Sequence, residues 1–339
     1  MRGPEIKILH LSTLAACLAA AILLGAQWEE KLKMPAQGRD ILRAQATDGE
    51  EEDYTSHETR TEKGTSQRIF REGPALKAEY RFINFNKDRV AVSFGMAQRD
   101  YKNYLVGYGY SESELSALRA WRDNARQAAW KNGFLKGGRP EGEKAMAEVD
   151  TDYDTRLRAL LRARGLALRA GNLVECDMPA IVRRNTSLLK PLALAFQKIS
   201  SKRGYSEEEL VGAALSLVQT AVRYKIPPSI ENGLHTGGLL PPARALLSGW
   251  GDCDTKTGLL ASILGNWNTL RMVGIAVPGH YLMAIRRLPG KGDVFVRYEG
   301  LEYVLVEPAG PAWLEPGTVG THTTALLSGE ESYKVEPFF

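Results

Sequence analysis

From Ile8 to Ala26 the chain reads ILHLSTLAACLAAAILLGA, an uncharged and largely apolar run close to the roughly 20 residues that cross a bilayer. Arg2 and Lys7 stand before it against Glu5, and a balanced WEEKLK follows. The positive-inside rule therefore leaves the start in the cytoplasm and the rest outside. Three readings fit the run. An uncleaved signal anchor is favoured by its length. A cleaved secretory signal is weakened by Leu24 at the outer position of a Leu24-Gly25-Ala26 site. A lipoprotein signal would use Leu14-Ala15-Ala16-Cys17, but mostly apolar residues follow Cys17. The expectation is a single-pass inner-membrane helix, residues 1–27, with the remainder in the periplasm.

Residues 28–75 are polar, with an acidic stretch from Asp48 to Asp53, and read as a tether. AEYRFINF (78–85) and RVAVSFGM (89–96) then alternate on either side of Asn86-Lys87-Asp88, the pattern of a hairpin. Two strands alone are marginal, so this pair must pack on something larger. Ser111 and Glu114 form a capping box for a helix to Asn132, with Leu115, Leu118, Trp121 and Ala125 on one stripe and Gly133 as its stop. Glu141–Arg164 continues the pattern after the turn-forming LKGGRP, predicting a helical hairpin. The Arg- and Glu-rich surface of 112–170 fits a solvated, ion-paired face, or a site for a protein partner. Residues 76–171 thus form a hairpin-plus-helix region without an assigned role.

At Asn172 the character changes, and residues 172–339 read as a compact domain. Met178–Ile199 has helical spacing. Ser206–Tyr224 opens with a second capping box, Ser206 with Glu209, and stops before Pro227-Pro228. Four extended segments follow at 272–277, 280–285, 294–298 and 303–308, separated by glycine turns. The predicted class is α+β, with helices packed on an antiparallel sheet.

Composition narrows the function. In 339 residues the 44 Lys and Arg nearly balance 40 Asp and Glu, and the net charge of +4 is too evenly spread for a nucleic-acid partner. Three cysteines exclude a disulfide scaffold. Gly107-Tyr108-Gly109 lacks the further glycine or Lys-Ser/Thr of a nucleotide loop. Asn185-Thr186-Ser187 matches a glycosylation acceptor, a triplet common by chance.

The chemistry gathers at Trp250-Gly251-Asp252-Cys253-Asp254, a tight turn leading into a helix. A helix N-terminus favours a thiolate and supplies N–H groups for an oxyanion. A random cysteine is more often a small buried hydrophobe, but Trp250, Asp252 and Asp254 flank this one with a polar helix start. Cys176 has no such setting and reads as structural, although an extracytoplasmic location leaves a Cys176–Cys253 disulfide open. His280 opens the second strand after Pro278-Gly279, and Glu307 closes the fourth after Val304-Leu305-Val306. A carboxylate there needs a partner, which His280 supplies. Thiol, base and orienting acid are the set that nucleophilic catalysis requires. His10, His57, His235 and His322 lie in the apolar run, the tether and loops. A metal on Cys253, His280 and Glu307 lacks paired ligand spacing, so neither metal nor cofactor is expected.

Taken in order, Leu217-Val218-Gln219 with Tyr224, Gly251-Asp252-Cys253-Asp254, Pro278-Gly279-His280 and Val306-Glu307, with Trp313 and Gly317 beyond, resemble the bacterial transglutaminase-like cysteine proteinases of the papain-like superfamily. The likeness spans about Met178 to Gly320. It implies a papain-like core with Cys253 as nucleophile, His280 as base, Glu307 as the residue that orients it, and Gln219 near the oxyanion. The implied activity is acyl transfer from a peptide or protein substrate through a thioester, to water or to an amine. Asp254 and Lys256 approximate the family's residues after the cysteine, whereas Pro308 stands where a small hydroxyl residue is commoner. A catalytically silent scaffold at the membrane is the alternative.

Overall fold

The computed structural model describes residues 57–61, 64–328 and 333–339. The expected membrane segment with Cys17, and the tether as far as residue 56, lie outside these. Among the described residues no helix is long and apolar enough to cross a membrane. The fold is α+β, with antiparallel sheets.

Strands β1 (His57–Thr61), β2 (Thr65–Glu72), β3 (Ala75–Ile83) and β4 (Arg89–Ala97) form an antiparallel meander. The expected hairpin is its second half, closed by residues 84–88, a longer loop than Asn86-Lys87-Asp88 alone. Asn84 Oδ1 there accepts from the Asp88 N–H at 2.9 Å, and Lys87 takes the left-handed conformation. β1 and β2 correct the reading of residues 57–75 as tether. Their alternating Ser, Thr and charged residues have strand period, and Thr65 and Gln67 turn their polar side chains inward.

Helix α1 (Gln98–Val106) and β5 (Tyr110–Ser111) lead into α2 (Glu112–Ala163), which reverses at Gly137–Gly138 inside LKGGRP. Gly133 does not stop the helix. A Cβ there would stand 2.5 Å from the Glu141 carbonyl, and one at Gly142 would stand 2.7 Å from the Trp130 ring, so the two glycines let the arms touch. Farther down, Arg156 covers the Trp121 ring, Arg122 covers Tyr153, and Arg126 pairs with Asp150.

After β6 (Leu166–Leu168) and β7 (Val174–Cys176) come α3 (Met178–Thr186), α4 (Lys190–Arg203) and α5 (Glu207–Ser216). The single helix expected over 178–199 is thus two, because Pro191 sits in the first turn of α4 and cannot continue a preceding helix. α5 carries both bonds of its capping box. It ends sooner than expected, in a π-helical turn at Leu217–Ala221 followed by β8 (Arg223–Tyr224). Asn185 is buried and donates to Tyr108 Oη and the Ile181 carbonyl, so the glycosylation triplet is a packing element.

The remaining elements are β9 (Ile230–Glu231), β10 (Leu234–His235), α6 (Pro242–Ser248), β11 (Trp250–Gly251), α7 (Cys253–Leu264), β12 (Met272–Val277), β13 (His280–Arg286), β14 (Phe295–Tyr298), β15 (Leu301–Val306), α8 (Thr321–Ser328) and β16 (Lys334–Pro337). Five of them form the main sheet, ordered β14-β15-β13-β12-β16 and antiparallel throughout. One face, with Met283, Ile285 and Val306, joins the large core beneath the helices. The other, with Leu282, Ala284 and Leu305, packs with Leu326 and Leu327 of α8.

The described residues form one compact unit, undivided at the boundary expected at residue 172. Leu76, Tyr80, Phe82, Val92 and Phe94 of the meander share the core of α3 to α7, and Tyr80 Oη donates to the Leu246 carbonyl. The hairpin's inward face supplies the apolar surface that those helices need. Phe82 lies 6.5 Å from Phe196, centroid to centroid. Phe82→Ala is expected to cost about 3–5 kcal/mol and to shift a single unfolding transition. Two separable transitions in denaturant, followed by near- and far-UV circular dichroism, would restore the two-domain reading.

Candidate active site

Cys253 is the first residue of α7 and is 8% exposed. Its position is set by a chain of short-range ties. β11 pairs in parallel with β8, Gly251 opposite Tyr224, which fixes the turn entering the helix. Asp252 then caps α7, its Oδ1 accepting from the Thr255 N–H at 3.1 Å. The next turn is polar and yet wholly buried, each group being matched. Thr255 Oγ1 accepts from the Leu240 N–H at 3.0 Å, and Thr257 Oγ1 donates to the Tyr281 carbonyl at 3.2 Å. That last bond sets the start of α7 against the start of β13.

His280 is the first residue of β13, and Glu307 follows directly on β15. The antiparallel register, Met283 opposite Val306, brings the beginning of one strand beside the end of the other. His280 Nε2 lies 3.0 Å from both Glu307 Oε1 and Oε2. Glu307 is only 4% exposed, and its Oε2 also accepts from Thr323 Oγ1 of α8 at 2.7 Å. A carboxylate so buried needs these partners. With Nε2 donating to Glu307, the lone pair of His280 stays on Nδ1.

The thiol donates to Asp254 Oδ1 at 3.4 Å, and among the described residues no hydrogen bond joins it to His280. Burial pushes the thiol well above its ordinary pKa, the charges of Asp254 and Asp252 add to the effect, and the Tyr281 N–H beside it opposes them. The helix N-terminus was expected to favour a thiolate; burial and the two carboxylates instead raise this thiol. Burial likewise raises Asp252, with help from Asp254, to about 6, against the Thr255 N–H that it caps.

Gln219, for which the resemblance implied an oxyanion role, stands elsewhere. Both hydrogens of its amide are committed, to the Glu307 carbonyl at 2.7 Å and the Leu314 carbonyl at 3.0 Å, while its oxygen accepts from the Leu314 N–H. It braces the segment behind the acid and has no donor left for an anion. Trp250 is buried beneath Lys225, whose Nζ lies 4.4 Å from the ring centroid. Cys176 is a free thiol donating weakly to the Thr236 carbonyl, and Cys253 is free too, so neither is in a disulfide.

Two further residues stand beside the acid, and of these the sequence marks only Lys256, among the positions after the cysteine. Thr323 lies in THTTALLS, where nothing marks it. Lys256 is fully buried one turn after Cys253, and its Nζ donates to the Val222 carbonyl at 2.9 Å. Burial lowers it to about 7, while the Glu307 charge holds it up. A cation within an otherwise apolar helix face was the signal available for it. Among the described residues no cluster of His, Cys, Asp and Glu has the arrangement of a metal site.

Asp252→Asn tests the electrostatics. The folded pKa of about 6 lies above the unfolded one, so the stability tied to this group is present at acid pH and lost as pH rises through about 6. Asparagine keeps the cap. The variant is expected to be more stable than the parent at pH 8, by up to ~3 kcal/mol, and equal to it near pH 4, as denaturant titration at the two pH values would read. Its Cys253 is expected to react faster with iodoacetamide at pH 8, one charge that raises the thiol being gone.

Comparison with known proteins returns no matching family model, no similar curated protein and no similar solved structure.

Proposed function

We propose that the chain is a thiol enzyme of the transglutaminase-like class, built on a papain-like core and held at the inner membrane by residues 8–26 with its catalytic unit in the periplasm. The observation that carries the reading is the buried Glu307 bonded through both oxygens to His280 Nε2, beside the N-terminus of the helix that begins with Cys253. A hydrogen bond between His and a buried acid fixes the tautomer and stabilises the imidazolium that forms during proton transfer.

In this reading His280 Nδ1 takes the thiol proton as Sγ adds to the carbonyl carbon of a peptide or amide. The imidazolium then protonates the leaving nitrogen, the C–N bond breaks, and an acyl-thioester remains on Cys253. His280 next deprotonates water or an amine, which attacks the thioester and returns the thiol. Because the resting thiol is held protonated, proton transfer accompanies attack and does not precede it, so the general base contributes to the first step. Hydrolysis is preferred, since water needs no second binding site.

The competing reading is a silent scaffold, favoured by that same protonated thiol. A peptide-like electrophile distinguishes them when the adduct is located by mass spectrometry. The enzyme reading expects labelling at Cys253 over Cys176, abolished by Cys253→Ala, about 10²–10⁴-fold slower in His280→Ala, and slowed in Glu307→Gln and Thr323→Val. Slow labelling of both thiols, indifferent to His280→Ala, would overturn it. Labelled amines supplied to the acyl-enzyme then separate transfer from hydrolysis.

A further inference from the structure

The hairpin α2 is joined to the rest of the molecule at its base, where Leu115, Leu157 and Leu161 meet Tyr110 and Leu166. Toward the turn its buried residues are the two contact glycines alone. Phe134 and Leu135 stand at that turn 51% and 77% exposed. The ring of Phe134 leans on Trp130, centroids 5.8 Å apart, which stiffens the apolar cap. Around it are Lys131, Lys136 and Arg139, while the Glu141 side chain packs against Gly137 on the turn. Arg139 pairs with Glu143 at 2.7 Å, whereas Lys131 and Lys136 have no ion-pair partner among the described residues.

We propose that this tip docks on an anionic lipid surface, Phe134 and Leu135 entering the headgroup region and Lys131 and Lys136 meeting lipid phosphates. The charge complementarity selects lipid over a second copy of the tip, which would bring like charges together. Exposed apolar residues beside two lysines without ion-pair partners have the composition of an interfacial anchor. The helical arms keep the wedge rigid, because the Arg156–Trp121 and Arg122–Tyr153 stacks join them along their length. The site residues play no part in this contact, so the proposal stands or falls apart from the catalytic reading.

The full chain, with its three cysteines replaced by alanine, is reconstituted into vesicles of phosphatidylcholine alone or with roughly one-third phosphatidylglycerol. An environment-sensitive fluorophore is placed through Asn132→Cys at the tip or Ala117→Cys, about 22 Å farther down the arm at 1.5 Å per residue. The tip probe is expected to shift to the blue and to be quenched by lipids carrying a nitroxide, only where phosphatidylglycerol is present. The lower probe should not respond. Lys131→Glu with Lys136→Glu, and separately Phe134→Ser with Leu135→Ser, should reduce quenching at the tip about tenfold with the far-UV spectrum unchanged. Equal quenching at both positions, indifference to phosphatidylglycerol, or cross-linking between copies through position 132 without quenching would overturn the proposal.

Discussion

The site depends on one buried carboxylate. Glu307 has lost almost all its water and is stabilised by what surrounds it: His280 at the start of β13, Thr323 on α8 and, through its own carbonyl, Gln219 of the π-helical turn. A buried acid left unmatched costs several kcal/mol or takes up a proton. The need to match it therefore ties together a strand, a helix on one face of the sheet and a helical turn on the other. The π-turn has a purpose in this light. By adding a residue to the helical turn it re-aims Gln219, whose amide makes three hydrogen bonds to the segment from Glu307 to Leu314.

The same economy of matched groups governs the helix that begins with Cys253. Thr255, Lys256 and Thr257 are fully buried, and each side chain has a backbone partner: Leu240, Val222 and Tyr281. Such a network tolerates little movement, so Cys253 is presented at a defined place beside His280. Burial above all raises the thiol, and Asp254 and the capping Asp252 add to the effect.

Local patterns carried much of the fold. Both capping boxes, the strands of the sheet and the reversal in LKGGRP are written in residues close in sequence, where spacing and side-chain chemistry act directly. The structure departs from the local pattern for one reason. Glycine lowers helix propensity and so predicts a stop at Gly133, but its missing Cβ serves a contact with Glu141 on the opposite arm. Thr65 and Gln67 looked like tether because they are polar, yet they lie inward on a strand. In each case a distant partner overrode the local preference.

From the sequence alone came the α+β class, Cys253 at a helix start and the pairing of His280 with Glu307, because an acid ending an apolar strand needs a hydrogen-bonding partner nearby. Only the tertiary structure decided that the meander and the later helices share one core, that Gln219 braces the acid, that Thr323 and Lys256 stand beside it, and that burial raises the thiol. These depend on burial and on hydrogen bonds between segments far apart in the chain. Desolvation and long-range partners exist only once the chain has closed around them.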